Sequence, residues 1–166
     1  MSPRFWLPAL ACALLLGFGL YLQYARGLEP CPLCLVQRGF FVTVMAVCLL
    51  AAVHRPGRLG TAAYGVLAAL FALGGAAVAG RQVWLQHLPP DKVPQCGPDL
   101  FFMVENFPLS RTLKTLFSGT GECAAVDWTF LRLSIAEWSL VCFAALFVYC
   151  LWLIRTRASR ASSASR

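Results

Sequence analysis

Apolar residues in this chain are gathered into four long runs that short polar stretches separate. Residues 5–24 carry no charge over 20 positions, and residues 59–80 carry none over 22. Residues 35–53 and 134–154 each hold a single charged residue near their start. Because a membrane-spanning helix needs about 20 predominantly apolar residues, the pattern predicts four transmembrane helices over these ranges.

Composition agrees with an all-α membrane protein built as a four-helix bundle. Hydrophobic residues make up 59% of the chain and charged residues 13%, about half the charged share of a soluble domain. The first apolar run follows Arg4 and resembles a signal peptide, but it exceeds the usual apolar core of about 7–15 residues. We therefore expect a retained helix, one domain over residues 1–155, and a disordered tail over 156–166.

Charge predicts the orientation of the helices. Four crossings leave both termini and the 54–58 turn on one side of the membrane. That side holds seven basic residues and no acidic one: Arg4, Arg55, Arg58, Arg155, Arg157, Arg160 and Arg166. By the positive-inside rule it faces the cytoplasm, so the loops over 25–34 and 81–133 face outward. The scattered positive charges argue against nucleic-acid binding.

The eight cysteines divide into two groups on this topology. Four lie inside apolar runs and are interpreted as small buried hydrophobic residues: Cys12, Cys48, Cys142 and Cys150. The other four lie in the two external loops: Cys31, Cys34, Cys96 and Cys123. An external compartment is oxidising and lets disulfides persist, so the second group is the candidate for redox chemistry.

Spacing favours one pairing of the external cysteines. Cys31 and Cys34 form a CxxC motif, which closes a small, labile disulfide, and this leaves Cys96 with Cys123 across the second loop. Two alternatives stay open. In the first, the wide pair serves only as a structural staple; in the second, all four thiolates hold zinc, which would require them to stay reduced.

Arg38 lies four residues after Cys34, on the same helical face. The positive end of the helix dipole favours a thiolate at Cys34, and an arginine near the head of a membrane helix is costly unless it snorkels or has a partner. A thiolate or an electron-accepting quinone oxygen would supply it; lipid phosphate is the alternative. Arg81 and Gln82, at the external end of the third helix, are weaker candidates for the same pocket.

The second external loop contains an amphipathic stretch. Leu109, Leu113, Leu116 and Phe117 recur at helical spacing among polar residues, and Pro108 precedes them. This pattern predicts a short helix lying on the membrane surface.

These features together resemble the disulfide bond formation protein B family, DsbB. The residues that carry the resemblance are Cys31-Pro32-Leu33-Cys34, the following Leu35-Val36-Gln37-Arg38, and the second cysteine pair on a four-helix topology. The resemblance covers nearly the whole chain, from Phe5 to about Arg155.

The resemblance implies a thiol:quinone oxidoreductase of the bacterial inner membrane. Such proteins reoxidise the periplasmic dithiol oxidase DsbA and pass electrons to the quinone pool of the respiratory chain. Cys96 would form the mixed disulfide with the partner, and Cys123 would resolve it or pass electrons toward Cys31. Cys34 would contact the quinone, which Arg38 would help to hold, and ubiquinone is favoured over menaquinone. No metal is expected.

One position departs from the family pattern. Some members have a histidine after the arginine that ends the third helix, whereas this chain has Gln82 after Arg81. Glutamine can hydrogen-bond a quinone carbonyl but takes up no proton near neutral pH. A quinone-epoxide-reductase-like thiol enzyme and a membrane scaffold with two stapling disulfides remain the alternatives to the leading interpretation.

Overall fold

Four long helices form the bundle in the computed structural model, which describes residues 3–94, 106–108, 110, 117, 119, 121–126 and 128–162. The bounds of the long helices are α1 Pro3–Arg26, α2 Pro32–His54, α3 Arg58–Gln86 and α4 Ile135–Ser162. Each holds a segment long and apolar enough to cross a membrane. The predicted count of four transmembrane helices is confirmed for the described residues.

Helix α2 begins three residues before its predicted start at residue 35. Pro32 occupies the first turn, where its missing N–H costs nothing, and Cys31 caps the helix by accepting a hydrogen bond from the Cys34 N–H at 3.4 Å. The predicted start was too late because the CxxC motif was assigned to the external loop over residues 25–34. Cys34 therefore lies inside the first turn of α2.

Helices α3 and α4 are also longer than the apolar runs suggested. Helix α3 continues past residue 80 to Gln86, so that Arg81 and Gln82 lie on a helix rather than in a loop. Helix α4 continues to Ser162 through the stretch that was expected to be disordered from residue 156. Alanine and arginine in that stretch are good helix formers, which accounts for the continuation.

A small hairpin precedes α4 and was not predicted. Strands β1 Thr129–Phe130 and β2 Leu133–Ser134 pair antiparallel. The turn residues Leu131 and Arg132 adopt positive φ angles of 52° and 68°, a conformation usually left to glycine or asparagine. The sequence therefore carries no ordinary turn signature here.

The hairpin leads directly into a capped helix. The Ser134 hydroxyl oxygen accepts a hydrogen bond from the Glu137 N–H at 3.2 Å. In the other direction, the Glu137 carboxylate accepts a hydrogen bond from the Ser134 N–H at 2.6 Å. This reciprocal pair is a capping box. Ser134 also donates to Gln86 Oε1 at 2.8 Å, which ties the start of α4 to the end of α3.

The helices pack in the order α1–α2–α3–α4, with α3 and α4 in the closest association. Phe41 of α2 stacks on Phe143 of α4 at 3.9 Å between ring centroids. The Phe143 ring packs directly against Gly75 of α3, where a Cβ atom would collide with it. Cys12, Cys48 and Cys150 are fully buried in the core around them, as predicted, while Cys142 is half-buried.

Two of the predicted features in the second loop fall outside this description. Cys96 and most of the predicted surface helix over residues 108–117 lie outside the described residues. The described parts of the loop include two short 3₁₀ helices, η1 Pro90–Lys92 and η2 Gly121–Ala124. Helix η2 packs against α3 and α2, and this contact brings Cys123 to the end of the bundle where the CxxC motif lies.

Candidate functional site

The CxxC cysteines lie together at the start of α2. The Cys31 and Cys34 sulfurs are 2.9 Å apart, with Cys31 donating to Cys34, and both are free thiols in the structure. The tight spacing follows from the helix start, because the capping residue and the third helical residue face each other across one turn. The two thiols can therefore form a disulfide with each other, on oxidation, without a rearrangement of the backbone.

Cys123 joins this pair from the second loop. It is fully buried in helix η2, in a cluster with Leu33 and Leu85, and its side chain is hydrogen-bonded to Cys31. The hydrogen bond with Cys123, followed by that with Cys34, raises the pKa of the Cys31 thiol well above its usual range. Cys31 therefore keeps its proton at neutral pH when the site is reduced.

Two buried glutamines connect the thiols to the neighbouring helices. Gln82 Nε2 donates to Cys34 Sγ at 3.3 Å and to Cys31 Sγ at 3.4 Å. Gln37 Nε2 donates to Gln82 Oε1 at 2.6 Å, and both side chains are 3% exposed. Sequence reasoning assigned no role to Gln37. Its spacing of three residues from Cys34, inside an apolar run, was the available signal.

Arg38 faces α1 from the same side of α2. Its guanidinium donates to Gln23 Oε1 at 2.5 Å and to the Gly19 carbonyl oxygen at 3.0 Å. Both of these acceptors are neutral. They satisfy the hydrogen-bonding of the guanidinium without cancelling its positive charge, so the charge remains effective toward an anionic neighbour.

A cavity of about 1050 Å³ opens beside these groups. Cys31, Cys34, Arg38, Gln37 and Gln82 are among the residues that line it, and α1, α2, α3, α4 and the segment before the hairpin all contribute to its wall. One part of the wall is aromatic, where Phe18 of α1 meets Trp128 edge to face with ring centroids 5.7 Å apart. The cavity lining thus combines polar and charged groups, namely Arg38 with the acidic Glu29 and Glu122, with apolar and aromatic side chains.

The structure brings most of the predicted site residues together, and Arg81 stands apart from them. The Arg81 guanidinium lies 4.3 Å from the ring centroid of Trp84, and Arg81 is not among the residues that line the cavity. His87 is exposed, and its Nδ1 lies 2.9 Å from the Val83 carbonyl oxygen. Within the described residues, no group of three or more histidine, cysteine or acidic side chains is arranged to hold a metal ion.

Known proteins of one family are similar to this chain over most of its length. The family model described as "Disulfide bond formation protein DsbB" matches residues 2–153. Proteins named "Disulfide bond formation protein B" from Methylococcus capsulatus and Aromatoleum aromaticum are 54% and 53% identical over 147 and 143 residues. These alignments cover 89% and 86% of this chain, and 90% and 86% of the relatives. A third relative of that name, from Hahella chejuensis, is 55% identical over 84% of both chains. The chain therefore belongs to the DsbB family and is a disulfide-forming membrane oxidoreductase.

Proposed function

We propose that this protein is a thiol:quinone oxidoreductase that reoxidises a periplasmic DsbA-type dithiol oxidase and passes the electrons to membrane quinone. The observation that carries this function is the contact between the CxxC thiols and a large cavity inside an apolar helix bundle. A lipid-soluble electron acceptor can reach such a cavity from the bilayer. The active site of a soluble thiol enzyme is in contact with water and not with the bilayer.

The residues around the cavity fit a quinone. Its volume suits a small-molecule ligand, for which pockets of roughly 300–1,000 Å³ are usual. When bound, a quinone supplies a two-electron, two-proton sink. Arg38 would offer its guanidinium to a quinone oxygen, since its partners Gln23 and Gly19 leave its charge uncompensated. Gln82 would hold the thiols and stay within reach of the same ligand, and Phe18 and Trp128 would face its apolar part.

The cysteines would act as a relay of disulfide exchanges. The partner's dithiol would be oxidised as it reduces a Cys96–Cys123 disulfide, through a mixed disulfide at Cys96. A bond formed between Cys123 and Cys31 would break the Cys31–Cys34 disulfide and release Cys34 as a thiolate. Attack by Cys96 on Cys123 would then restore the first disulfide and leave Cys31 reduced. The hydrogen bond between Cys123 and Cys31 supports this order of transfer.

The acceptor must be a strong oxidant. A DsbA-type partner has a reduction potential of about −120 mV, so reoxidising it requires a quinone of higher potential. Ubiquinone meets this requirement better than menaquinone. The protein would lie in the bacterial inner membrane with both termini in the cytoplasm, because the side of the termini holds seven basic residues and no acidic one, whereas the other side holds seven basic and all seven acidic residues.

The experiment is a coupled assay with purified protein, a reduced DsbA-type partner and a short-chain ubiquinone. Wild-type protein should reduce the quinone at the expense of the partner's thiols, and Cys34→Ser should abolish this turnover. Cys142→Ala, a change to a half-buried cysteine of α4, is the matched control and should retain turnover. Full activity in Cys34→Ser would contradict the proposed function.

A second variant separates the relay from a scaffold with stapling disulfides. Cys96→Ser should block the mixed disulfide with the partner while the Cys31–Cys34 bond still forms. Mild reductant should open the Cys31–Cys34 bond readily if it is redox-active. A bond that resists mild reductant, with no quinone reduction, would favour the scaffold.

A further inference from the structure

We infer that Gln37 is a positioning residue that holds the side-chain amide of Gln82 with its N–H group toward the Cys34 sulfur. Gln37 Nε2 donates to Gln82 Oε1 at 2.6 Å, and Gln82 Nε2 lies 3.3 Å from Cys34 Sγ. The three side chains form a continuous chain from the second turn of α2, across to α3, and back to the first turn of α2.

The orientation of the Gln82 amide matters because its two ends act oppositely on a thiolate. The N–H end donates to the sulfur and stabilises its negative charge, whereas the carbonyl end repels it. The two ends have almost the same shape, so packing alone does not choose between them. The Cys34 thiol also donates to the Gln82 carbonyl oxygen at 3.6 Å, but that oxygen is engaged more closely by Gln37 at 2.6 Å, and the Gln82 nitrogen lies nearer the sulfur at 3.3 Å. The hydrogen bond from Gln37 thus favours the orientation that turns the nitrogen toward the sulfur.

Burial makes this control effective. Gln37 and Gln82 are each 3% exposed, so bulk water competes little for either amide. An unpaired amide in such a place costs free energy, and for Gln37 the bond to Gln82 offsets that cost. A polar residue in this position of an apolar run is thus explained by its contact with Gln82.

Two donors converge on Cys34 as a result. The Cys31 thiol donates from 2.9 Å and the Gln82 amide from 3.3 Å. Gln37 touches neither sulfur in any hydrogen bond of the described residues, and it acts through Gln82. The inference rests on the proposed function to the extent that Cys34 works there as a thiolate.

The test is the pH profile of Cys34 alkylation in the full-length, reduced protein stripped of quinone, with Cys34 distinguished from other cysteines by peptide mass mapping. In Gln37→Leu the profile should move about one pH unit to the alkaline side, a tenfold decrease in the acid dissociation constant of the Cys34 thiol. Gln37→Glu should move it further, because a carboxylate only accepts hydrogen bonds and would turn the Gln82 nitrogen toward itself.

A double-mutant comparison shows whether Gln37 acts through Gln82. In a Gln82→Leu background, adding Gln37→Leu should shift the profile no further, since the intermediary is already gone. Thr61→Val is the matched control. It also removes a buried polar hydrogen bond, that of Thr61 Oγ1 with the Pro56 carbonyl, but at the other end of α3, and it should leave the Cys34 profile unchanged.

The alkylation profiles distinguish the positioning role of Gln37 from the thiolate state of Cys34 in the proposed function. A wild-type profile like that of an ordinary thiol would contradict both the positioning role and the thiolate of the proposed function. An acid-shifted wild-type profile that both Gln37 variants leave in place would overturn the role of Gln37 alone. Shifts that add fully in the double variant would also overturn it, because Gln37 would then act independently of Gln82.

Discussion

The side-chain nitrogen of Gln82 lies 3.3 Å from the sulfur of Cys34, across a separation of 48 positions in the chain. This contact joins the last turns of α3 to the first turn of α2. It places a non-titrating amide beside the CxxC thiols. The chemistry of the thiol pair in this protein therefore depends on hydrogen bonding at this position, without a proton-donating side chain there.

A histidine at this position should add an ionisation to catalysis. Gln82→His introduces beside Cys34 an imidazole, whose unperturbed pKa is about 6.5. The pH profile of kcat for quinone reduction should gain a break in that region, because the imidazolium present at lower pH would both stabilise the thiolate and supply a proton. Wild-type protein and Gln82→Leu should lack this break. A profile of unchanged shape in Gln82→His would contradict the position assigned to the side chain.

The charge of Arg38 should control quinone affinity. Gln23→Glu replaces a neutral acceptor of the guanidinium with a carboxylate, and the resulting ion pair would compete with the ligand. The Kd for a short-chain ubiquinone, measured by fluorescence titration, should rise about tenfold, as for the loss of one charge-assisted hydrogen bond.

Gln86→Glu is the control for added charge. It places the same charge in the same cavity, but the Gln86 side chain is bonded to Ser134 rather than to Arg38. Its effect on affinity should be clearly smaller. Equal losses in the two variants would mean that the added negative charge, and not the pairing with Arg38, weakens binding.

Removal of Cys123 should make Cys31 more acidic. The hydrogen bond with Cys123, and after it that with Cys34, raises the pKa of Cys31. A raised pKa keeps the thiol protonated at neutral pH, so loss of the Cys123 side chain lowers the pKa and increases the thiolate. In reduced Cys123→Ala, alkylation of Cys31 should begin at lower pH than in wild type. Peptide mass mapping of samples alkylated at a series of pH values measures this onset. An onset unchanged from wild type would contradict the hydrogen bond assigned between Cys123 and Cys31.

The packing of α3 against α4 should depend on Gly75. A Cβ at this position would collide with the Phe143 ring, whereas no described atom lies within 4 Å of a Cβ built at Gly80. Gly75→Ala should therefore destabilise the protein by about 1–3 kcal/mol through overpacking. Gly80→Ala should be neutral or slightly stabilising, since alanine favours a helix more than glycine does. Thermal unfolding in detergent measures both, and equal midpoints would contradict the observed packing.

Hydrophobic patterning predicted the four helices well but located their ends less well. The end of α3 was missed because Arg81, Gln82 and Gln86 interrupt the apolar run, although they are good helix formers and continue the helix. The start of α2 carried a readable signal in Pro32, which favours the first helical turn. The hairpin at Leu131 and Arg132 had no such signal, because neither residue is typical of positive φ.

The candidate site was predictable where it rests on local spacing. Cys31, Cys34 and Arg38 share one stretch of chain, and helix geometry alone brings them to one face. Gln37 shares that face too, but its partner Gln82 is 45 positions away, and only tertiary packing reveals the bond. The same holds for Gln23, which a separate helix brings to Arg38.

The most direct test of the account is the visible absorption spectrum of the purified protein with ubiquinone bound. A Cys34 thiolate held beside the quinone should donate electron density to it and give a broad visible band. This band should be present in wild type and in Cys142→Ala, and Cys34→Ser should abolish both the band and quinone reduction. Retention of the band and of quinone reduction in Cys34→Ser would contradict the central claim.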